Sequence, residues 1–214
     1  MSIRQYGQYC AIARSLDIIG ERWTLLIIRE LLTGPKRFKN LLQNLPGIGT
    51  NLLANRLKQL EISDIIAKIR LPSPADVLAY DLTDHGRGLE DILISIIQWG
   101  SLYLERGQGE DYARPGWAIL GIKGLFKPEK AQGISLTCQF NVDQESFWIK
   151  IHENKISALE GKIDGSDITL NMDESTFLGL GDGSTNIEHA LSSGQIEIDG
   201  SLETLMIMLS TLTS

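Results

Sequence analysis

Basic and amide side chains share an acid-free stretch in the first half of the chain. Residues 36–60 include five Lys and Arg residues and no Asp or Glu residue. With about 100° between successive helical residues, Asn51, Asn55 and Lys58 lie on one face of a helix, and leucines lie on the opposite face. Amide groups hydrogen-bond to base edges and ammonium groups neutralise phosphates, so this face is typical of a helix that binds double-stranded DNA. The alternative from these residues alone is an ordinary amphipathic helix with a solvated face.

The segments around this helix predict a winged helix-turn-helix. The predicted helices cover residues 10–19, 21–32, 38–45 and 50–61, and the predicted strands cover residues 62–71 and 77–82. Thr50 is the expected N-cap of the fourth helix. Helices followed by a two-stranded hairpin are the order of elements in a winged helix-turn-helix. The candidate DNA-contacting residues are Lys36, Arg37, Thr50, Asn51, Asn55, Arg56, Lys58 and Arg70.

A long apolar helix is predicted after the hairpin. Thr83 is placed to cap a helix that runs to about Arg106, with a length of about 35 Å at roughly 1.5 Å per residue. Such a helix is too long to be buried within so small a domain, so a second copy of the chain is the simplest cover for it. The candidate dimer-interface residues are Leu89, Ile92, Leu93, Ile96 and Trp99.

Charge separates the two halves of the chain. Residues 1–107 contain 13 Lys and Arg residues against 11 Asp and Glu residues, whereas residues 108–214 contain 7 against 16. The asymmetry indicates two regions with different tasks, although the whole chain has a net charge of −7. We therefore expect a DNA-binding and dimerisation domain over residues 1–107, a linker over 108–116 and a second domain over 117–214.

The second half has the pattern of an α+β domain. Alternating apolar residues predict strands at 134–142, 146–151, 155–161, 168–172 and 196–198. Short helices are expected at 174–180 and 187–191, and a last helix is expected to present Leu202, Leu205, Met206, Leu209 and Leu212 on one face. The expected fold class is therefore mixed, with a mainly α winged helix-turn-helix followed by an α+β domain.

Residues 9–106 resemble the HxlR family of winged-helix regulators. The matching segments are Cys10, Leu16–Gly20, Trp23–Leu31, Gly34–Phe38, Leu45–Ile48, Leu53, Arg56–Glu61, Tyr80–Thr83 and Gly86-Arg87. The sequence departs from the family pattern at Ala11, where a proline is usual, and at Ile62–Asp64, where an acidic-glycine turn is common. The resemblance implies a DNA-binding homodimer whose terminal helices pair, acting as a transcriptional regulator.

Residues from about 116 to 214 resemble the sterol carrier protein family. The matching segments are Leu136–Phe140, Phe147–Ile151, Asp167–Leu170, Phe177-Leu178, Ala190–Gly194 and Ile196–Ser201. The resemblance implies an apolar tunnel between sheet and helices that holds a lipid or a similar molecule. The candidate lining residues are Phe177, Leu180, Leu205, Met206 and Leu209. In the alternative interpretation, side chains fill the cavity and the domain serves only packing or dimerisation.

Two cysteines and three histidines offer little other chemistry. Cys10 and Cys138 form no CxxC pair, so no disulfide framework or cysteine-ligated metal site is expected, and a reducing cytoplasm is the expected location. The resemblance implies a redox-sensing role for Cys10, and the alternative is a small buried apolar residue. The histidines show no metal-binding spacing, and no GxSxG or phosphate-binding loop is present.

Three classes of function therefore remain at this stage. The first is a transcriptional regulator whose C-terminal domain senses an apolar molecule. The second is a regulator whose C-terminal domain only oligomerises, and the third is a lipid carrier. No enzyme activity, metal or cofactor is expected.

Overall fold

The computed structural model describes residues 5–73, 75–104 and 111–212. The chain folds as two compact units, Met1–Leu93 and Ile94–Ser214, and helix α6 (Glu90–Gly100) crosses the boundary between them. Residues 105–110, which include the start of the predicted linker, lie outside the described residues. No helix in the described ranges is long and apolar enough to cross a membrane.

Unit 1 has the order of elements that the sequence predicts for a winged helix-turn-helix. Its elements are α1 (Ala11–Ile19), α2 (Thr24–Leu32), α3 (Phe38–Asn44), α4 (Thr50–Ile62), β1 (Ile66–Arg70), β2 (Leu78–Leu82), α5 (Asp84–Arg87) and the first residues of α6 (Glu90–Gly100), whose remaining residues belong to unit 2. A 3-10 turn at Ser101–Tyr103 follows α6. Helices α2, α3 and α4 each contribute fully buried aliphatic side chains to the core of unit 1, including Ile27, Ile28, Leu31, Leu41, Leu53 and Leu57.

Helix α2 begins three residues later than predicted, because Trp23 adopts a left-handed backbone conformation with φ of 78°.

A buried polar contact connects α2 to α3. The carboxylate of Glu30 is fully buried and accepts hydrogen bonds from Arg29 Nη2 at 3.0 Å and from Asn44 Nδ2 at 2.8 Å. Buried carboxylates require such partners, so this contact fixes the relative position of the two helices.

The wing is an antiparallel hairpin of β1 and β2 in which Lys68 pairs with Tyr80. The backbone of Lys36 forms an antiparallel bridge with β2. Its N–H donates to the Tyr80 carbonyl at 3.0 Å, and its carbonyl accepts from the Tyr80 N–H at 2.8 Å. This bridge attaches the wing to the turn between α2 and α3.

The prediction of one continuous helix from 84 to 106 is wrong. The Thr83 hydroxyl caps α5 by accepting the Gly86 N–H at 3.0 Å, but α5 ends at Arg87, and α6 covers only Glu90–Gly100. Glycine has a low helix propensity, and Gly86 and Gly88 both lie at this junction. A side chain at Gly86 would collide with the backbone carbonyl of Ile65, so the chain is held close to β1 here.

Unit 2 is an α+β domain whose helices pack on one face of a five-stranded sheet. Its elements are α7 (Ala118–Leu125), β3 (Leu136–Val142), β4 (Glu145–His152), β5 (Lys155–Glu160), β6 (Ile168–Met172), α8 (Glu174–Asp182), α9 (Ile187–Ser192), β7 (Ile196–Asp199) and α10 (Leu202–Ser210). Two 3-10 turns lie at Pro115–Trp117 and Pro128–Lys130. The sequence predicted all five strands and three of these helices, whereas α7 was not predicted.

The sheet has the strand order β5-β4-β3-β6-β7. Strands β3, β4 and β5 form an antiparallel meander, and β6 pairs with β3 in parallel. Alternate residues of the strands, such as Cys138 and Phe147, join Ile119, Ala190 and Met208 of the helices in one apolar core. On the other face, the Gln139 side chain donates to the Phe147 and Gly161 carbonyls and accepts the Ile163 N–H.

Candidate functional site

Helix α4 presents the polar face that the sequence predicts. The side chains of Leu53, Leu57 and Leu60 are buried, while Asn51 and Lys58 are exposed and Asn55 is half-buried. Thr50 is exposed too, but it is the first helical residue and Gly49 is the N-cap, so the predicted capping role of Thr50 is wrong. The arrangement offers two amides and one ammonium group to a ligand outside the helix.

Two basic residues of the predicted DNA-contacting set turn inward. Lys36 is only 7% exposed, and its Nζ donates to Thr33 Oγ1 at 2.9 Å and to the Gly34 carbonyl at 3.4 Å. The structure corrects its predicted orientation, because a buried ammonium needs these oxygen partners and cannot also face a DNA phosphate.

Arg56 is corrected for a similar reason. Its side chain is 11% exposed and forms a 2.6 Å ion pair with Glu21, together with hydrogen bonds to Gln59 Oε1 and the Arg22 carbonyl. The guanidinium thus packs α4 against the segment before α2. Its helical position, which flanks the Asn51 face, could not reveal an acid 35 residues earlier in the sequence.

Arg37 and Arg70 remain at the surface of unit 1. Arg37 is half-buried at the N-cap position of α3. Arg70 is exposed on the wing, where Asp76 binds its Nε at 2.6 Å and its Nη2 at 3.1 Å. This hydrogen bonding raises the pKa of Arg70 above its usual value and lowers the pKa of Asp76. Sequence reasoning did not anticipate this acid partner.

The predicted dimer residues fall into two groups. Ile92, Ile96 and Trp99 are exposed on α6, and Trp99 is 64% exposed. Leu89 is half-buried, and Leu93 is a buried core residue, so the prediction that Leu93 lies at an interface is corrected. Sequence reasoning missed a second apolar surface, where α1 exposes Ile12, Leu16 and Ile18.

The predicted ligand-lining residues of unit 2 mostly belong to its core. Phe177 packs edge-on against Phe147 with ring centroids 5.6 Å apart, and Leu205 is buried, while Leu180 and Leu209 are half-buried against the same core. Met206 is 57% exposed, so its assignment to the lining is corrected. It lies about 100° around α10 from Leu205, and Met208 is buried instead.

The two cysteines have different surroundings. Cys10 is exposed just before α1, so the alternative of a buried residue does not apply to it. Cys138 is fully buried in β3, and burial raises the pKa of its thiol to about 12. Among the residues that the structure describes, no group of three or more His, Cys, Asp or Glu side chains is arranged to hold a metal ion.

The fold and the exposed face of α4 define a winged helix-turn-helix joined to an α+β domain. Residues 18–108 match the family model described as HxlR-like helix-turn-helix, and residues 123–213 match that of the SCP-2 sterol transfer family. The chain belongs to the HxlR-like helix-turn-helix family, and its C-terminal domain resembles the SCP-2 proteins, as its sequence predicts.

Each relative described here matches a little under half of this chain. An uncharacterized HTH-type transcriptional regulator of Mycobacterium tuberculosis is 38% identical over 99 residues, which are 46% of this chain and 62% of the relative. The HTH-type transcriptional regulator YodB of Bacillus subtilis is 36% identical over 93 residues, which are 44% of this chain and 83% of YodB. The solved structure of reduced YodB covers 47% of this chain and 99% of its own, with 35% identity and a TM-score of 0.40.

Proposed function

We propose that this protein is a dimeric transcriptional regulator that binds specific DNA sequences through α4. The observation that carries the proposal is the exposed face of α4, on which Asn51 and Lys58 flank the half-buried Asn55. Buried leucines on the opposite face of α4 hold it on unit 1. The names of the relatives, which are helix-turn-helix transcriptional regulators, support the same function.

Enrichment of genomic DNA fragments on the purified protein tests this function. We expect recovery of related, pseudo-palindromic sites, since a symmetric dimer contacts two half-sites about one DNA turn apart. Asn55→Ala should relax base preference and weaken binding to the best site by about 1–3 kcal/mol. Gln132→Ala, at an exposed position of unit 2, is the matched control. Random fragments, or equal behaviour of both variants, would contradict the proposal.

For unit 2 we propose the binding of an apolar small molecule that acts as an effector. The match to the SCP-2 sterol transfer family supports this role. The two alternatives are a domain that only oligomerises and a lipid carrier. An effector must bind the DNA-competent and DNA-incompetent states with different affinities, because equal binding shifts no equilibrium.

Solvent extraction of the purified protein followed by mass spectrometry separates these alternatives. A co-purified apolar compound that changes DNA affinity on re-addition supports the effector role. A compound that binds without changing DNA affinity favours a carrier, and the absence of any bound compound favours a domain that only oligomerises.

We also propose a redox-sensing role for Cys10, supported by its exposure next to α1. A thiol there is open to oxidants, whereas Cys138 is not. Cys10→Ser should abolish any loss of DNA binding that a mild thiol oxidant causes. An identical oxidant response in Cys10→Ser would contradict this role.

A further inference from the structure

The outward-facing basic side chains of the wing strand β1 are each held by an acid of the same unit. Lys68 Nζ lies 2.7 Å from Glu61 Oε2, and Arg70 forms the two-atom contact with Asp76 described above. These four residues are here named the wing edge. At least about a third of every side chain in these two ion pairs is exposed, so water and dissolved ions reach both contacts.

Both contacts are exposed to solvent. The hydrogen bond with Glu61 is the main reason why the pKa of Lys68 is raised, and the hydrogen bond from Arg70 lowers the pKa of Asp76. Solvent-exposed ion pairs contribute little to protein stability, since water and salt screen them. A phosphate that offers equivalent oxygen atoms can therefore replace either carboxylate without disturbing the fold.

The basic residues nearer to the recognition face differ in this respect. Lys39 and Lys58 are exposed on α3 and α4, and neither forms an ion pair with an acid in the described part of the chain. Lys39 and Lys58 thus have no acidic partner in the described part of unit 1, whereas Glu61 and Asp76 neutralise the basic side chains of the wing strand.

We propose that the wing edge is an ion-exchange element, in which DNA phosphates displace Glu61 and Asp76 from Lys68 and Arg70. This inference rests on the proposed DNA binding, and Glu61 and Asp76 are the groups that limit the affinity for DNA. In the free protein the acids occupy the phosphate-binding groups, and in the complex their charges lie close to the phosphates and are repelled by them. Both effects weaken binding to DNA of any sequence, which leaves base contacts from α4 a larger share of the total affinity.

The test measures the affinity of the full chain for a fluorescent random-sequence DNA duplex over a range of salt concentrations. Asp76→Asn keeps the shape of the side chain and removes its charge. We expect tighter binding and a salt dependence that is steeper by about 0.9 in the slope of log K against log salt, because the Asp76 charge no longer offsets the charge with which Arg70 neutralises a phosphate. The gain should therefore shrink by a factor of about 3.5 between about 50 mM and about 200 mM salt.

Two comparisons separate the exchange from a simple change in net charge. Asp164→Asn makes the same charge change in an exposed turn of unit 2 and should leave the affinity and the slope unchanged. In an Arg70→Gln background, Asp76→Asn should give a smaller gain in affinity, since no guanidinium remains to be released and only the repulsion between Asp76 and the phosphates is removed. Glu61→Gln with and without Lys68→Gln repeats the same cycle at the other pair.

Several outcomes would overturn the inference. Binding that is unchanged or weaker in Asp76→Asn would show that the acid positions Arg70 or plays no part. Equal gains in Asp164→Asn, or in the Arg70→Gln background, would reduce the effect to net charge. A wild-type protein that binds duplex DNA while Asp76→Asn changes nothing overturns this inference alone, and a wild-type protein that binds no DNA overturns the proposed function with it.

Discussion

Lys36 and Lys58 lie in the same acid-free stretch of sequence, yet the fold gives their ammonium groups opposite surroundings. The Lys36 ammonium is buried among the oxygen atoms of the turn after α2, and Lys58 points to solvent from α4. A basic residue contributes to phosphate binding only if its charge reaches the surface, so a count of basic residues overestimates the DNA-contacting set.

Alanine substitutions at these two lysines should separate folding from DNA binding. Lys58→Ala should weaken binding to all sequences and reduce the salt dependence, because one phosphate contact is lost. Lys36→Ala should instead lower the free energy of unfolding by about 1–3 kcal/mol, because buried oxygen partners lose their donor. Fluorescence anisotropy with labelled DNA and thermal denaturation measure the two effects. If Lys36→Ala were as stable as the wild type but bound DNA less tightly, our assignment of Lys36 to the folded core rather than to the DNA contact would be wrong.

The cysteines should differ in reactivity in the same way that they differ in burial. In native protein at neutral pH, we expect a thiol reagent to modify Cys10 rapidly and Cys138 only after unfolding. Burial excludes the reagent from Cys138 and raises the pKa of its thiol to about 12, so almost no reactive thiolate forms. Mass spectrometry of the labelled protein counts the modified sites, and Cys10→Ser, which should stay unlabelled until denatured, is the control.

At the scale of elements, periodicity predicted the winged helix-turn-helix and all five strands of unit 2. Alternation and helical spacing determine which face is buried, which is why Leu53, Leu57 and Ile168 were placed correctly. Contacts between distant segments, such as that of Glu30 with Asn44, leave no periodic signal in the sequence. A short helix also has too few residues for the spacing of its apolar side chains to show which of them are buried. Met206 was misplaced for that second reason.

The junction between α5 and α6 provides a test of how closely the chain approaches β1. Gly86→Ala should lower the free energy of unfolding by about 1–3 kcal/mol, since the new methyl group meets the rigid Ile65 carbonyl. Gly100→Ala is the matched control, because this residue has a helical backbone and no atom lies within 4 Å of the added carbon. Its stability should stay constant or rise by roughly 0.5–1 kcal/mol. Thermal denaturation of both variants is the measurement, and equal melting temperatures would contradict the crowding at Gly86.

At the scale of the whole molecule, the exposed apolar residues of α6 lead to a prediction about assembly. Replacing Ile92 and Ile96 together by Glu should convert the proposed dimer to a monomer, because burying two unpaired carboxylates in an apolar interface is unfavourable. Light scattering measures the mass in solution. Leu202→Glu, an exposed position on α10, should leave the mass unchanged. A double variant that stays dimeric would place the interface elsewhere.

The order of the strands along the chain determines when the sheet of unit 2 can be completed during synthesis. The sheet of unit 2 is complete only when β7, at Ile196–Asp199, has paired with β6. All of unit 1 leaves the ribosome long before that point, and N-terminal domains generally fold first. We therefore expect a nascent chain that stops before β7 to carry a folded winged helix-turn-helix and an incomplete, exposed apolar sheet, and to aggregate more readily than the full chain.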